Sequence, residues 1–280
     1  MRAQRFNLYT HSMSNDHFVS KTYLKWFENP ISNKLYCSSY LENKRKWTRP
    51  KLKDAAQICY QKNRFLPDVE QDFNKKFESK WNPLIGHLNQ FPFPKLKKKH
   101  FKKNKILNSE QVSIILDFII THYKRSLKVQ KANKIQVEET LVEVEKQQGQ
   151  PLSEQEKENL HKAVDNSFVK APQESKKIWK RKPWLLSVNT TEVPFITSSK
   201  PVLWHDEIHR IGVYAPLSPQ FAIFIVLHKF KEKSGLIVEQ VTKENAVRFN
   251  QLMRERVEED SAPIIISNKQ EILAELLNIA

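Results

Sequence analysis

The stretch VEQDFNKKFESKWNPLI (residues 69–85) carries a large apolar side chain at every fourth position of its first thirteen residues. The repeating residues are Val69, Phe73, Phe77 and Trp81. This spacing places all four on one side of an α-helix, and the apolar series continues to Leu88. Pro67 marks the start of the helix, and the proline-containing segment 91–94 marks its end. The sequence therefore predicts a long amphipathic helix that contributes to the hydrophobic core.

Shorter elements are predicted on the N-terminal side of this helix. Residues 21–28 place Tyr23, Leu24 and Phe27 on one helical stripe, and Pro30 ends that helix. Residues 34–41 alternate enough to form a strand. The basic turn that follows leads into a second short strand, so we expect a hairpin here.

The middle third of the chain is predicted to be helical. Asn108-Ser109-Glu110-Gln111 is typical of a helix start, and the helix that follows is expected to reach about Gln148. Ser153 and Glu156 have the spacing of a capping box, which predicts another helix after them. We interpret residues 108–170 as a helical insertion that contains an antiparallel helix pair.

Short β-rich segments separated by turn residues follow Pro183, with a further helix at about residues 242–258. Because helices come first and strands afterwards, the order of elements predicts an α+β fold. This fold is mainly helical, with a small mixed or antiparallel sheet that the N-terminal hairpin could join. We expect residues 1–12 to be an extension or disordered, and residues 13–280 to form one domain.

Composition argues against several classes of protein. The chain has four glycines and neither a GxGxxG nor a GxxxxGK[ST] motif, which argues against a Rossmann or P-loop nucleotide site. No apolar run approaches the about 18 residues of a membrane span, and the N-terminus lacks the apolar region of a secretory signal. The two cysteines, Cys37 and Cys59, do not form a metal-binding pattern. Reduced thiols in a cytoplasmic protein are therefore expected.

The charge of the chain favours a polyanionic partner. Lys and Arg total 47 and Asp and Glu total 31, which gives a formal net charge of +16. Such an excess attracts nucleic acid, although the lysine bias of an AT-rich genome would also produce it. Two basic runs carry candidate nucleic-acid-binding residues, namely Lys97, Lys98, Lys99, Lys102, Lys103, Lys180, Arg181 and Lys182. Phe101, Trp179 and Trp184 lie within these runs and could stack on unpaired bases, or the runs could be solvated linkers.

Seven segments, in order, resemble the domain-of-unknown-function family 4238, which is found mostly in bacteria. DHFVSKTYLKWF is similar to the family's opening HYVPxxYLxxF, PFITSSKPV to its fitSDnPv signature and VYAPLSPQFAIFI to its fPLSP strand. The other segments are KLYCSSYLENKRKW, AAQICYQKNRF with VEQDFNKKFESKWNPLI, LDFIITHYKRS and VTKENAVRFNQLMRERVEEDSAPIII. The resemblance spans His17 to Ile266 and implies no established activity. Ser20 and Ser199 stand where the family usually has proline and aspartate.

Four residues form the predicted working set of an active site. His17 could act as a general base, a metal ligand or a phosphate contact, or it could be a capping or packing residue. Glu70 and Glu78 lie eight residues apart and can border one helix face, where they could hold a metal ion or remain solvated charges. Arg125, which the resemblance marks, could bind a phosphate or form a buried salt bridge.

Ser198 belongs to a polar loop after a predicted strand, and it could bind a substrate or cap a turn. If the family aspartate at the next position is catalytic or binds metal, Ser199 replaces it in this chain. The position of the loop at a strand end is what makes Ser198 a candidate site residue.

The leading function hypothesis is a cytoplasmic, nucleic-acid-directed and metal-assisted phosphodiesterase that acts in bacterial defence or toxicity, with Mg²⁺ or Mn²⁺ as the metal. The defence part rests on family-level association. The alternative is a non-catalytic sensor or adaptor that binds nucleic acid, or a protein partner through the helical insertion. Hydrolysis of a small substrate is a third possibility, against which the basic runs argue. No membrane partner is expected.

Overall fold

The computed structural model describes residues 15–17, 19–62, 67–93, 99–101, 105–124, 127–169, 173–204, 212–226, 235–257 and 263–279. The N-terminal part contains β1 (Asn15–His17), α1 (Lys21–Leu24), β2 (Leu35–Leu41), β3 (Lys46–Trp47), β4 (Lys51–Lys53), α2 (Ala55–Cys59) and β5 (Tyr60–Lys62). A 3₁₀ turn at Lys25–Phe27 extends α1, and another precedes β3 at Glu42–Lys44.

The middle and C-terminal parts supply most of the helices and the larger strands. The middle part contains α3 (Pro67–Gln90), β6 (Lys99–Phe101), α4 (Ser109–Lys124), α5 (Leu127–Gln148), α6 (Glu154–Val169) and α7 (Gln173–Lys180). The C-terminal part contains β7 (Trp184–Val188), β8 (Thr197–Ser198), β9 (Gly212–Ser218), β10 (Phe221–Val226), β11 (Leu236–Gln240), α8 (Lys243–Val257), β12 (Ile264–Ser267) and α9 (Gln270–Leu276). The predicted α+β class is confirmed.

The larger strands form two sheets. The first sheet has the order β6-β11-β7-β10-β9, in which β11 and β7 run parallel and the other neighbours run antiparallel. The second sheet has the order β3-β2-β12-β8, and β4 also pairs with β2. The predicted N-terminal hairpin thus pairs with the C-terminal strand β12. A bridge between Leu203 and Tyr214 connects the edges of the two sheets.

The long helix α3 begins at Pro67, as the sequence predicts, and its aromatic stripe enters the core. Phe77 and Trp81 are almost fully buried. Both rings pack on Phe118 of α4, with centroid distances of 5.5 Å for Phe77 and 4.7 Å for Trp81. The side chains of Val69 and Phe73 lie outside the described residues. Burial of two large rings on one stripe is the physical reason that this helix anchors the helical layer.

Helices cover the sheets from two directions. Buried residues of α1, α3 and α4 share one core cluster with Leu186 and Ile223 of the first sheet. Buried residues of α8 and α9 share a second cluster with Ile265 of the second sheet and with Tyr214 and Phe224. Strands β9 and β10 contribute alternate residues to both clusters, because successive side chains of a strand point to opposite faces. These two strands therefore lie between the two core clusters.

The helix starts in the middle of the chain have the predicted capping geometry. The Ser153 amide donates to Glu156 Oε2 at 2.8 Å, and the Glu156 amide donates to Ser153 Oγ at 3.3 Å. Asn108 and Gln111 form the same reciprocal pair at 2.8 Å in both directions. Such pairs satisfy backbone amides that have no partner inside a helix. The segment predicted to be helical as far as Gln148 is helical over Ser109–Lys124 (α4) and Leu127–Gln148 (α5), and residues 125–126 are not described.

Candidate functional site

The strand that carries His17 lies beside the central helix. His17 pairs with Tyr60 of β5 in a two-stranded antiparallel ladder, and β1 packs against α3. Glu70 and Glu78 belong to α3. The side chains of His17 and of both glutamates lie outside the described residues. β1 and α3 are therefore neighbouring elements, and the convergence of the three side chains stays a prediction.

The end of α4 is the third element of the predicted working set. Arg125 follows Lys124, the last residue of α4, and lies outside the described residues. α4 packs against α3. His122, one turn before Arg125, is 4% exposed, and its ring meets Phe118 edge-on at 4.4 Å. This packing makes His122 a part of the aromatic core.

The polar loop after β8 is tightly hydrogen-bonded. Ser198 is fully buried, its Oγ donates to the Lys200 carbonyl at 2.7 Å, and the Lys200 amide donates to Ser198 Oγ at 3.1 Å. This geometry fits the turn-capping interpretation of Ser198. A catalytic role would require Ser198 Oγ to give up these hydrogen bonds with Lys200.

Ser199 extends the pairing of the second sheet by one residue. Its amide donates to the Ile264 carbonyl at 2.9 Å, and the Ile264 amide donates to Ser199 Oγ at 3.2 Å. The side chain therefore acts as a hydrogen-bond acceptor for the backbone. An aspartate carboxylate at this position could accept the same bond, so the serine preserves at least that function.

The hydroxyl of Tyr23 connects the two sheets. It lies 2.7 Å from Thr197 Oγ1 in the second sheet and donates to the Pro216 carbonyl in the first sheet at 2.8 Å. Tyr23 is fully buried. Burial raises the pKa of Tyr23 well above its ordinary value, so the phenol remains protonated. The sequence predicted Tyr23 as a core residue, and its hydroxyl partners came only from the structure.

Asn250 of α8 holds the segment that leads into β8. Its Oδ1 accepts a hydrogen bond from the Ile196 amide at 3.0 Å, and its Nδ2 donates to the Pro194 carbonyl at 2.9 Å. Asn250 is 2% exposed. Sequence reasoning did not single out this residue, although an asparagine on the buried face of a helix is a signal for such a backbone clamp.

The contacts of Tyr23, Thr197, Pro216 and Asn250 join four segments that resemble the same family. A comparison with family models finds that the model of the family described as Protein of unknown function (DUF4238) matches residues 15–270 of the 280-residue chain. The chain belongs to DUF4238. No curated protein and no solved structure matches it. In this DUF4238 member, the described contacts of the family segments are mainly those of a buried hydrogen-bonded core.

A part of each basic run of this DUF4238 member adjoins the same end of the first sheet. Phe101, the last residue of β6, lies opposite Leu236 of β11, and Leu236 lies opposite Trp184, the first residue of β7. Phe101 and Trp184 are thus two strand spacings apart, about 10 Å. Lys102 and Lys103 follow Phe101 in the sequence, and Lys182 precedes Trp184 by two residues.

The individual basic residues are only partly described. Arg181 is exposed, and Lys180 and Lys182 are half-buried. Lys99 lies in β6, but its side chain is outside the described residues, as are all atoms of Lys97, Lys98, Lys102 and Lys103. The first basic run therefore contains a strand, which the linker interpretation did not anticipate.

Trp184 does not offer a ring to solvent, contrary to the expectation from the sequence. Its side chain is fully buried in the core cluster below the first sheet. Its Nε1 donates to the Trp179 carbonyl at 3.1 Å, and that carbonyl also accepts from the Lys182 amide at 3.1 Å. The indole therefore caps the C-terminus of α7 and holds the Lys180–Lys182 turn on the sheet.

Within the described residues, no group of three or more His, Cys, Asp or Glu side chains could hold a metal ion. No described helix has both the length and the apolar character that a membrane crossing needs. Cys37 is buried and free, and the side chain of Cys59 lies outside the described residues.

The helical insertion has an exposed apolar stripe. On α5, Ile135 and Val142 are 56% and 65% exposed and lie seven residues apart, on one helix face. α5 also contacts α6. The stripe is compatible with the expected protein partner, which stays a prediction.

Proposed function

We propose that this DUF4238 member binds nucleic acid at the basic end of the first sheet. The observation that carries the proposal is the register of β6, β11 and β7. It brings Phe101, which directly precedes Lys102, to within about 10 Å of Trp184, which follows the Lys180–Lys182 turn. Adjacent cations on one surface attract a phosphate backbone more strongly than the same cations dispersed over the molecule. The net charge of +16 adds a long-range attraction of the same sign.

The turn at Lys180–Lys182 is well suited to contact phosphates. Arg181 is exposed. Two backbone hydrogen bonds hold the turn: the Arg181 amide donates to the Ile178 carbonyl and the Lys182 amide donates to the Trp179 carbonyl, each at 3.1 Å. Because the backbone is fixed by these bonds and by the buried Trp184 ring, less conformational entropy is lost when a strand binds.

A matched pair of triple variants tests this proposal. The wild-type chain is titrated with fluorescent single-stranded and duplex DNA and RNA over a range of salt concentrations. The test variant carries K180Q, R181Q and K182Q, and the control variant carries K44Q, R45Q and K46Q, which removes the same three charges from an exposed hairpin.

The test variant should bind more weakly, and its dependence of log K on log salt should be shallower by about 2 for a single strand. The control variant should retain the wild-type slope. Equal losses in both variants would show that net charge alone drives binding, and absence of binding by the wild type would overturn the proposal.

A second candidate function is metal-assisted phosphodiester cleavage, and the packing of both β1 and α4 against α3 favours it. His17, Glu70, Glu78 and Arg125 would then form the working set, with the two carboxylates as oxygen ligands for Mg²⁺ or Mn²⁺. The metal would supply charge stabilisation and an activated water. Arg125 would bind a phosphate oxygen, and His17 would move a proton.

Cleavage assays separate this candidate from simple binding. Wild type, H17A, E70Q and E78Q are incubated with labelled DNA and RNA in Mg²⁺, Mn²⁺ or EDTA. E138Q, which changes an exposed carboxylate of α5, is the control. Metal-dependent cleavage that is lost in the first three variants and kept in E138Q would support the enzyme. Binding without cleavage would leave the adaptor function.

A further inference from the structure

An aromatic stack lies next to the Lys180–Lys182 turn. Tyr123 and Trp204 are stacked, with ring centroids 4.1 Å apart and planes inclined by 19°. Trp204 also contacts Trp179, with a centroid distance of 5.0 Å and an inclination of 38°. The three rings come from the end of α4, the segment after β8 and the last turn of α7. Three distant parts of the sequence therefore build one continuous aromatic surface.

This stack is less buried than the largest aromatic side chains of the core. Trp81, Trp184 and Phe118 are fully buried. Tyr123, Trp179 and Trp204 are all only half-buried, and the two tryptophans pack on the margin of the first core cluster. These three residues are therefore partly accessible to water, although full burial of an aromatic side chain contributes strongly to stability.

The stack is held rigidly on the protein. The Lys176 ammonium, 10% exposed, forms an ion pair with Asp117, which joins α7 to α4. The Trp179 carbonyl accepts the hydrogen bond from the Trp184 indole. Tyr123 and Trp179 are thus carried by two helices that an ion pair connects. A preorganised surface of this kind loses little entropy when a flat ligand stacks on it.

We propose that Tyr123, Trp204 and Trp179 form a stacking surface for an unpaired base, so that the preferred nucleic acid is single-stranded. The inference rests on the proposed function and specifies its substrate class. A base that stacks on the rings leaves its phosphate close to the chain, and Lys180, Arg181 and Lys182 directly follow Trp179. Aromatic rings beside cations bind single strands in this manner, whereas a duplex keeps its base faces covered by neighbouring bases.

The test compares three ligands of equal phosphate number on the full chain. They are a single strand of about 15 nucleotides, the same strand with abasic sites at all positions, and a hairpin duplex. Binding is followed by anisotropy of a labelled ligand and by quenching of tryptophan fluorescence. The wild type should bind the complete strand about tenfold or more tightly than the abasic strand. This comparison needs no variant and so does not depend on whether a variant folds.

Single tryptophan variants then test whether the base contacts this stack. W204L removes the central ring but keeps an apolar side chain, and W204F retains a ring. The control W26L changes a half-buried tryptophan in the 3₁₀ turn after α1, whose Nε1 donates a hydrogen bond to Asn82. W204L should lose about tenfold in affinity for the complete strand and keep its affinity for the abasic strand. W204F should recover most of the loss, and W26L should bind like the wild type.

The outcomes separate the two proposals. If no ligand binds, the proposed nucleic-acid function fails, and this inference fails with it. If the abasic strand or the duplex binds as tightly as the complete strand, nucleic-acid binding stands and the stacking surface is wrong. If W204L and W26L lose affinity equally, the base contact lies elsewhere and the assignment to this stack is overturned.

Discussion

The hydroxyl groups of Tyr23 and Thr197 lie 2.7 Å apart, although 174 residues separate them in the sequence. Tyr23 gives its only hydroxyl proton to the Pro216 carbonyl, so the Thr197 hydroxyl is the donor in the bond between the two side chains. The result is a short chain of hydrogen bonds from the second sheet through α1 to the first sheet. Because all three groups are buried, the chain stabilises one relative position of the two sheets.

Replacement of Tyr23 by phenylalanine should lower the free energy of unfolding by about 1–3 kcal/mol, because the buried Pro216 carbonyl and Thr197 hydroxyl lose a partner. Urea denaturation measures the change. Y40F, on a half-buried ring of β2, is the matched control and should change stability by less than about 0.5 kcal/mol. A Y23F protein as stable as the wild type would show that water replaces the lost hydroxyl.

Replacement of Asn250 by leucine should destabilise the protein by about 2–4 kcal/mol, because the Ile196 amide and the Pro194 carbonyl both lose their side-chain partner. Leucine has a similar volume, so loss of packing contributes little. Thermal and urea unfolding of N250L are compared with those of Q251L, which changes the next, exposed residue of α8. Equal effects of the two changes would contradict a specific contribution of the Asn250 hydrogen bonds to stability.

The S199D variant should be at least as stable as the wild type, and the S199A variant should be less stable. The Ile264 amide needs an acceptor, and a carboxylate accepts hydrogen bonds more strongly than a hydroxyl does. Urea unfolding of S199D and S199A measures the order. Metal-dependent cleavage that appears in S199D would instead assign a catalytic function to the aspartate that the family usually has there.

The thiol of Cys37 should react slowly in the folded protein. Burial raises the pKa of Cys37 from 9.0 to about 12, and the charge of Lys53 offsets only part of this effect. The reactive thiolate is therefore about a thousandfold rarer than in the unfolded chain at mildly alkaline pH. Iodoacetamide labelling at pH 8.5, with and without urea, measures the ratio after peptide mapping of Cys37. Equal labelling rates would contradict burial.

The same pKa shift predicts a pH dependence of stability. A folded-state pKa above the unfolded value means that the unfolded chain releases the Cys37 proton first as the pH rises. The contribution of the thiol to stability is therefore complete below about pH 9 and decreases as the pH rises towards 12. Urea midpoints from pH 8 to 10 should fall less steeply for C37A than for the wild type. Parallel slopes would exclude Cys37 as the cause.

Local patterns in the sequence predicted most of the elements. The four-residue spacing of Phe77 and Trp81 predicted the buried face of α3, and the capping residues Ser153 and Glu156 predicted the start of α6. Such signals are local because helix periodicity and caps involve residues within one or two turns. The same reasoning counted Trp184 among the stacking residues, since its neighbours are basic, and it could not detect that the ring is buried.

The sequence by itself determined the α+β class, the family, the positions of several of the longer helices and the basic character of the chain. Only the tertiary structure decided which strands share a sheet, that Phe101 and Trp184 lie on either side of Leu236, and that Tyr123, Trp179 and Trp204 form one stack. The physical reason is that periodicity specifies which face of an element is apolar but not which element covers it. That choice depends on packing and on buried hydrogen bonds between residues far apart in the chain, such as Tyr23 and Thr197.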